Sequence, residues 1–289
     1  MIYKRALIGF IIILSLHISR PCGAALIRPD IMYQGDISEI LIKDGIKGVP
    51  ELYWLGHKVY LKRYERYWLG FIGVDISHPE GYEILSLSYP HSDKVHKYRI
   101  RIAHKDYGKR VLRLPRQMVE LKGKILKRVL KEKKILKELW NTVSFEPLWD
   151  IPFIYPVEGE VVCGFGKRSI INGKQRSPHS GVDFRARKGE PVRAINRGVV
   201  IFCGELFLEG KSIVLDHGGG LKSIYIHLDR ILKKKGQSVR KGEIIGLAGA
   251  SGRVTGAHLH LGIKWYDLRV DPMALIKEST RIEKEIDIK

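Results

Sequence analysis

Residues 256–262 read Gly-Ala-His-Leu-His-Leu-Gly, and the run continues through Ile263, Lys264 and Trp265. Its alternation with period two is the signature of a β-strand. Residues i and i+2 of a strand point to the same face, so His258 and His260 would enter one space. An H-x-H pair by itself is usually a pair of surface or hydrogen-bonded rings. Its meaning here depends on what else the chain brings to that face.

Upstream, residues 177–186 read Ser-Pro-His-Ser-Gly-Val-Asp-Phe-Arg-Ala. His179 and Asp183 are spaced as H-x-x-x-D, and Gly181 would let the backbone turn so that their side chains converge. With the H-x-H pair, this segment offers two imidazoles, one carboxylate and a spare imidazole. Two histidines and a carboxylate with an open position form the donor set of a catalytic zinc, unlike the closed four-ligand structural kind. Neither Cys163 nor Cys203 is needed as a ligand. A further histidine stands in Ser-Ile-Tyr-Ile-His-Leu-Asp-Arg (223–230). Alternation assigns His227 to a polar strand face with Ser223 and Tyr225, where by itself it reads as an ordinary exposed residue. His217, just before a glycine turn, reads as structural. His57, His78, His91, His96 and His104 have no motif around them and read as surface residues.

The ordered set His179-x-Gly-x-Asp183, Tyr225-x-His227-Leu and Gly256-x-His258-Leu-His260 resembles the lysostaphin/LytM-type zinc endopeptidases. The likeness runs from about Pro156 to Ile276. It includes Gly-Phe-Gly-Lys-Arg (164–168), Pro-Val-Arg-Ala-Ile-Asn-Arg-Gly-Val-Val (191–200), Asp216-His-Gly, and Val-Asp-Pro-Met-Ala-Leu-Ile (270–276). The resemblance implies an antiparallel β-sheet peptidase domain. It implies zinc ligands at His179, Asp183 and His260, catalytic histidines at His258 and His227, and hydrolysis of peptide bonds in peptidoglycan cross-links or stem peptides. One catalytic set implies one Zn2+ per chain. The alternative is a non-catalytic murein-binding activator of another hydrolase; such relatives usually lack a ligand, whereas here the set is intact.

The rest of the 289-residue chain is long enough for a second domain. Short β-type runs separated by turns between residues 26 and 115 predict a small β-sandwich, and this region resembles the immunoglobulin-like module that precedes such peptidase domains in some exported bacterial proteins. From Arg116 to Trp140, Met118, Leu121, Ile125, Val129, Leu136, Leu139 and Trp140 form one helical stripe among lysines, interrupted by Glu132. The predicted order is a signal peptide (1–25), the β-sandwich (26–115), a helical linker (116–150), the peptidase domain (151–276) and a charged tail (277–289), a mainly β chain. The first domain is expected to contribute no catalytic group, so residues 150–289 should retain cleavage of soluble fragments.

Lys4 and Arg5, the apolar run from Ala6 to Leu16 and the small residues 23–25 have the order of a secretory signal, and the run is too short to span a bilayer. Export to the periplasm, envelope or exterior makes nucleic acid an improbable partner for a formal net charge of +20. Peptidoglycan and other anionic envelope polymers suit it. Arg20 and Pro21 before Cys22 argue against a lipid-anchor signal.

Overall fold

The computed structural model describes residues 26–43, 48–113 and 121–287. The segment read as a signal peptide, including Cys22, and Met118 of the helical stripe lie outside the described residues.

The first third builds two facing sheets. One orders the strands Leu26–Ile27, Ile37–Lys43, Tyr67–Gly73 and Lys62–Tyr64; the other orders Ile31–Tyr33, Val95–Ala103, Gly81–Ser88, Glu51–Trp54 and His57–Val59. Alternate residues Leu52, Trp54, Leu85, Leu87, Ile100 and Ile102 are buried, so the period-two pattern marks the inner face of a sandwich. Ile37–Lys43 and Tyr67–Gly73, however, are buried over consecutive residues. The cause is the second half of the chain, which packs on this sheet. The Phe71 ring lies 4.9 Å from that of Trp149, and a side chain at Gly73 would run into Val270 and Trp265.

Two sequence expectations are corrected by this packing. His57 is no free surface residue: its ring stacks on Tyr266 at 4.1 Å. The charged tail expected at 277–289 is an ordered helix as far as residue 287, since Pro272–Asp287 is helical. It buries Leu275, Ile276 and Ile282, and Arg281 pairs with Glu39 of the sandwich.

The connecting helix spans Gly123–Asn141, and Val129 and Leu136 are its buried residues. Ile125 of the predicted stripe is 45% exposed, so the buried face is narrower than the sequence pattern implied. From the helix end, residues 140–148 run over the second half of the chain. Trp140 O and Thr142 O accept from the buried ammonium of Lys222, and Ser144 Oγ donates to Asp216 Oδ2 at 2.6 Å.

Beyond residue 150 the chain forms a ten-stranded sheet. Its main path is Val161–Cys163, Val182–Arg185, His258–Trp265, Leu221–Ile231, Gly210–Asp216, Gly198–Leu206 and Ser238–Val239. Val182–Arg185 and His258–Trp265 meet in antiparallel register, with Asp183 opposite His260 and Arg185 opposite His258. A small sheet joins Lys109–Leu112, parallel to Arg168–Ile171, with the hairpin partner Lys174–Pro178. Neither described cysteine is in a disulfide; Cys163 is buried and Cys203 half-buried.

Candidate metal centre

The register just described puts Asp183 and His260 side by side, since opposed residues of an antiparallel pair have Cβ atoms only about 5 Å apart. His260 Nδ1 lies 2.7 Å from Asp183 Oδ1. His179, four residues before Asp183, enters from the loop ahead of the strand, with Nε2 3.0 Å from Asp183 Oδ1 and 3.0 Å from His260 Nδ1. Gly181 matters for a reason the spacing did not reveal. Any Cβ there would overlap the His260 ring and Leu261 O, so only glycine leaves room for that imidazole.

Two ring nitrogens and a carboxylate oxygen therefore converge within 3.0 Å of one another. Ligands about 2.0–2.2 Å from one tetrahedral ion sit at nearly this spacing, so the donor set fits zinc. The ring tautomer supports the fit. His179 Nδ1–H donates to Gly164 O at 2.8 Å, which leaves the Nε2 lone pair facing the other two donors. Cys163 Sγ, a His179 nitrogen and an Asp183 oxygen also lie within 4.8 Å of one another. The thiol sits 3.7 Å from Nδ1, behind the ring, so it borders the centre. The sequence reading had set Cys163 aside, and no spacing signal placed it there.

His258 projects from the same face as His260, as period two requires. Its Nδ1–H donates to Gly256 O at 2.9 Å, and its Nε2 is 3.8 Å from Asp183 Oδ1. His227 needs a correction. Alternation placed it with Ser223 and Tyr225, but those two side chains point into the core, toward His217 and the backbone of Ile195. His227 instead lines the cleft beside Ile226 and is only 8% exposed. The strand bulges here: Leu228 opposes Lys211 while Tyr225 opposes Ile213, so two residues face one. His227 absorbs the bulge with φ of +65°, a conformation uncommon outside glycine. Its ring is held by Nδ1–H donation to Ser251 O at 2.9 Å and lies 4.9 Å from the His258 ring.

Electrostatics separates these groups. Burial opposes charge on His179, but hydrogen bonds to Asp183 and Cys163 prevail and raise it to about 9. Burial would raise Asp183, yet bonds from His179 and His260 hold its carboxyl far below the usual range. Burial, followed by repulsion from His260, lowers His227 to about 4. His217 behaves as the sequence suggested. It is fully buried between Arg197 O and Ser223 Oγ, each at 2.7 Å, and burial lowers it to about 4.

Residues 177–272, which span His179, Asp183, His227, His258 and His260, match peptidase family M23. Residues 177–272 are thus a peptidase M23 domain. The chain is 39% identical over 124 residues to the peptidoglycan DD-endopeptidase ShyB of Vibrio cholerae, a match covering 41% of this chain and 29% of ShyB. The catalytic domain of the antimicrobial peptidase lysostaphin from Staphylococcus simulans is 32% identical; the match covers 41% of this chain and 92% of that domain, with a TM-score of 0.38. A chain from Pseudomonas aeruginosa assigned to peptidase M23 matches more of the molecule. It covers 84% of this chain and 94% of that one at 28% identity, with a TM-score of 0.66. The M23 domain thus holds the whole candidate centre, and the chain spans less than a third of ShyB.

Proposed function

We propose that this protein is a zinc-dependent endopeptidase that hydrolyses peptide bonds in peptidoglycan, of the DD-endopeptidase class named for ShyB. The convergence of His179 Nε2, His260 Nδ1 and Asp183 Oδ1 within 3.0 Å, beside two further imidazoles, carries the reading. These three residues would hold a single Zn2+. When bound there, it would supply Lewis acidity and lower the pKa of water from 15.7 to about 7.

The chain's own groups divide the proton work. His258 and His227 each commit Nδ1–H to a carbonyl, so each turns a lone pair at Nε2 toward the cleft. His258 takes the proton from the attacking water, because its open Nε2 stands beside the donor cluster, 3.8 Å from Asp183 Oδ1. The buried His227 resists protonation and orients the water through its Nε2 lone pair. Protonated His258 then returns the proton to the leaving amine. The cleft around them, about 370 Å³, is walled by Ile171, Leu208, Val254 and Thr255.

Residues 26–115 as an accessory β-sandwich and 151–276 as the catalytic unit belong to the same reading, as does export to the cell envelope. Among the described residues no helix is long and apolar enough to cross a membrane. The formal charge of +20 suits retention on an anionic wall, an attraction that salt weakens.

Digestion of purified peptidoglycan by the full chain, followed by mass analysis of the fragments, tests the proposal. Released peptides ending at one defined bond, lost on chelation and restored by zinc, are expected. Murein binding without any cleavage would leave the activator reading instead.

A further inference from the structure

The turn at residues 207–209 is the point on which both anchors of His227 depend. The backbone N–H of His227 donates to Glu209 O at 2.9 Å. Its ring is held by Ser251 O, and the Ser251 loop is tied to the same turn. Arg253 N donates to Leu208 O at 2.9 Å, Lys211 N donates to Ser251 Oγ at 2.8 Å, and a side chain at Gly210 would overlap Ser251. Leu208 and Glu209 also line the cleft. The turn is held from outside by the connecting helix. Glu132 Oε2 accepts the Phe207 backbone N–H at 2.8 Å, and Glu132 Oε1 accepts from Arg128 Nε at 2.7 Å. Arg128 in turn sits 5.7 Å from the centre of the Phe207 ring. The Glu132 side chain is only 12% exposed, which explains a charged residue on the apolar stripe.

We infer that Glu132 is a positioning residue for His227, so that docking of the connecting helix sets the geometry of the cleft. The inference rests on the proposed endopeptidase reading for its effect on rate, though not for its effect on His227. A carboxylate accepting a backbone N–H is a strong hydrogen bond with fixed direction. It pins a turn that otherwise projects from the sheet. Without it the turn can relax, and with it Glu209 O, the Ser251 loop and the left-handed backbone of His227. The proposed metal ligands lie on other segments, Asp183 and His260 on two further strands and His179 on the loop ahead of one, and are untouched. The helix thereby makes activity conditional on the arrangement of the N-terminal half of the chain.

The test compares Glu132→Ala and Glu132→Gln in the full zinc-loaded protein. Glutamine keeps an oxygen acceptor for Phe207 N–H, whereas alanine removes it. Glu132→Ala should lower kcat on a soluble peptidoglycan fragment about tenfold, with KM little changed and one zinc retained. Glu132→Gln should recover most of the rate. Independently of activity, 15N spectra of histidine-labelled protein should show the His227 ring signals shifted or broadened in Glu132→Ala, with His258 unmoved. Equal kcat and unchanged His227 signals in Glu132→Ala would overturn the inference, as would Glu132→Gln being as impaired as Glu132→Ala. A wild-type protein inert on peptidoglycan, whose His227 signals still respond to Glu132→Ala, would remove the enzymatic reading and leave the positioning role standing.

Discussion

His258 and His260 stand two residues apart on one strand, yet their rings are committed to different partners. His260 turns Nδ1 to Asp183 and His179, whereas His258 gives Nδ1–H to a backbone carbonyl and keeps Nε2 open. His260→Ala should therefore lose both zinc and activity. His258→Ala should keep its zinc while hydrolysis falls ~10² or more, the loss expected of a general base. Metal content and murein cleavage on both variants, with circular dichroism confirming the fold, check this; zinc lost from His258→Ala and kept by His260→Ala would reverse the roles. A sharper residue-scale test is Gly181→Ala. One added methyl has no room beside the His260 ring, so this small change should release zinc at chelator concentrations the wild type withstands. Competition with a chromophoric chelator measures it, and an unchanged zinc affinity would refute the steric argument.

Among the elements, the strands were more legible than their connections. Strict alternation in His258–Trp265 predicts which face carries the histidines, and the register with Val182–Arg185 then brings Asp183 to them. Alternation misplaced His227 because a bulge depends on pairing with another strand, and no local pattern reports it. The connecting segment was read as a linker, but it completes the second half of the chain. A fragment beginning at residue 150 would leave the Lys222 ammonium, buried at 0% exposure, without the carbonyls of Trp140 and Thr142. It would also remove the Ser144 partner of Asp216. An unsatisfied buried polar group costs about 1–3 kcal/mol, and more when charged. Residues 150–289 should thus melt well below residues 121–289, which thermal denaturation of the two fragments measures. Cleavage of soluble fragments by residues 150–289, measured below that melting temperature, tests separately whether the shorter fragment suffices for activity.

At the scale of the molecule, the sandwich and the sheet beyond it share one apolar core and a polar tie between Asp75 and Arg269. Arg269 Nε and Nη2 reach the two carboxylate oxygens of Asp75 at 3.0 and 2.7 Å. Burial would raise Asp75, but the bonds from Arg269 and Ser77 win and hold it far below the usual range. An unfolded aspartate titrates near 3.9. The stability from this lowered pKa is therefore present above about pH 5 and fades as the pH falls through the folded value. Asp75→Asn should lower Tm by on the order of a few degrees at pH 7, with the gap to wild type narrowing below pH 4. Melting curves across that range check the sign. A gap that widens on acidification would contradict it.

Local chemistry determined much of this protein. Hydrophobic period two marks the regular strands and their faces, and two histidines with one carboxylate make a donor set of the kind metal chemistry accepts. Which nitrogen of each ring faces the donor cluster, why Gly181 must lack a side chain, and how His227 reaches the cleft were decided by strand register and backbone bulges. The roles of Cys163, Glu132 and the C-terminal helix were decided by packing between segments far apart in sequence. Such contacts leave no periodic trace, because each depends on a partner that only the folded chain brings near.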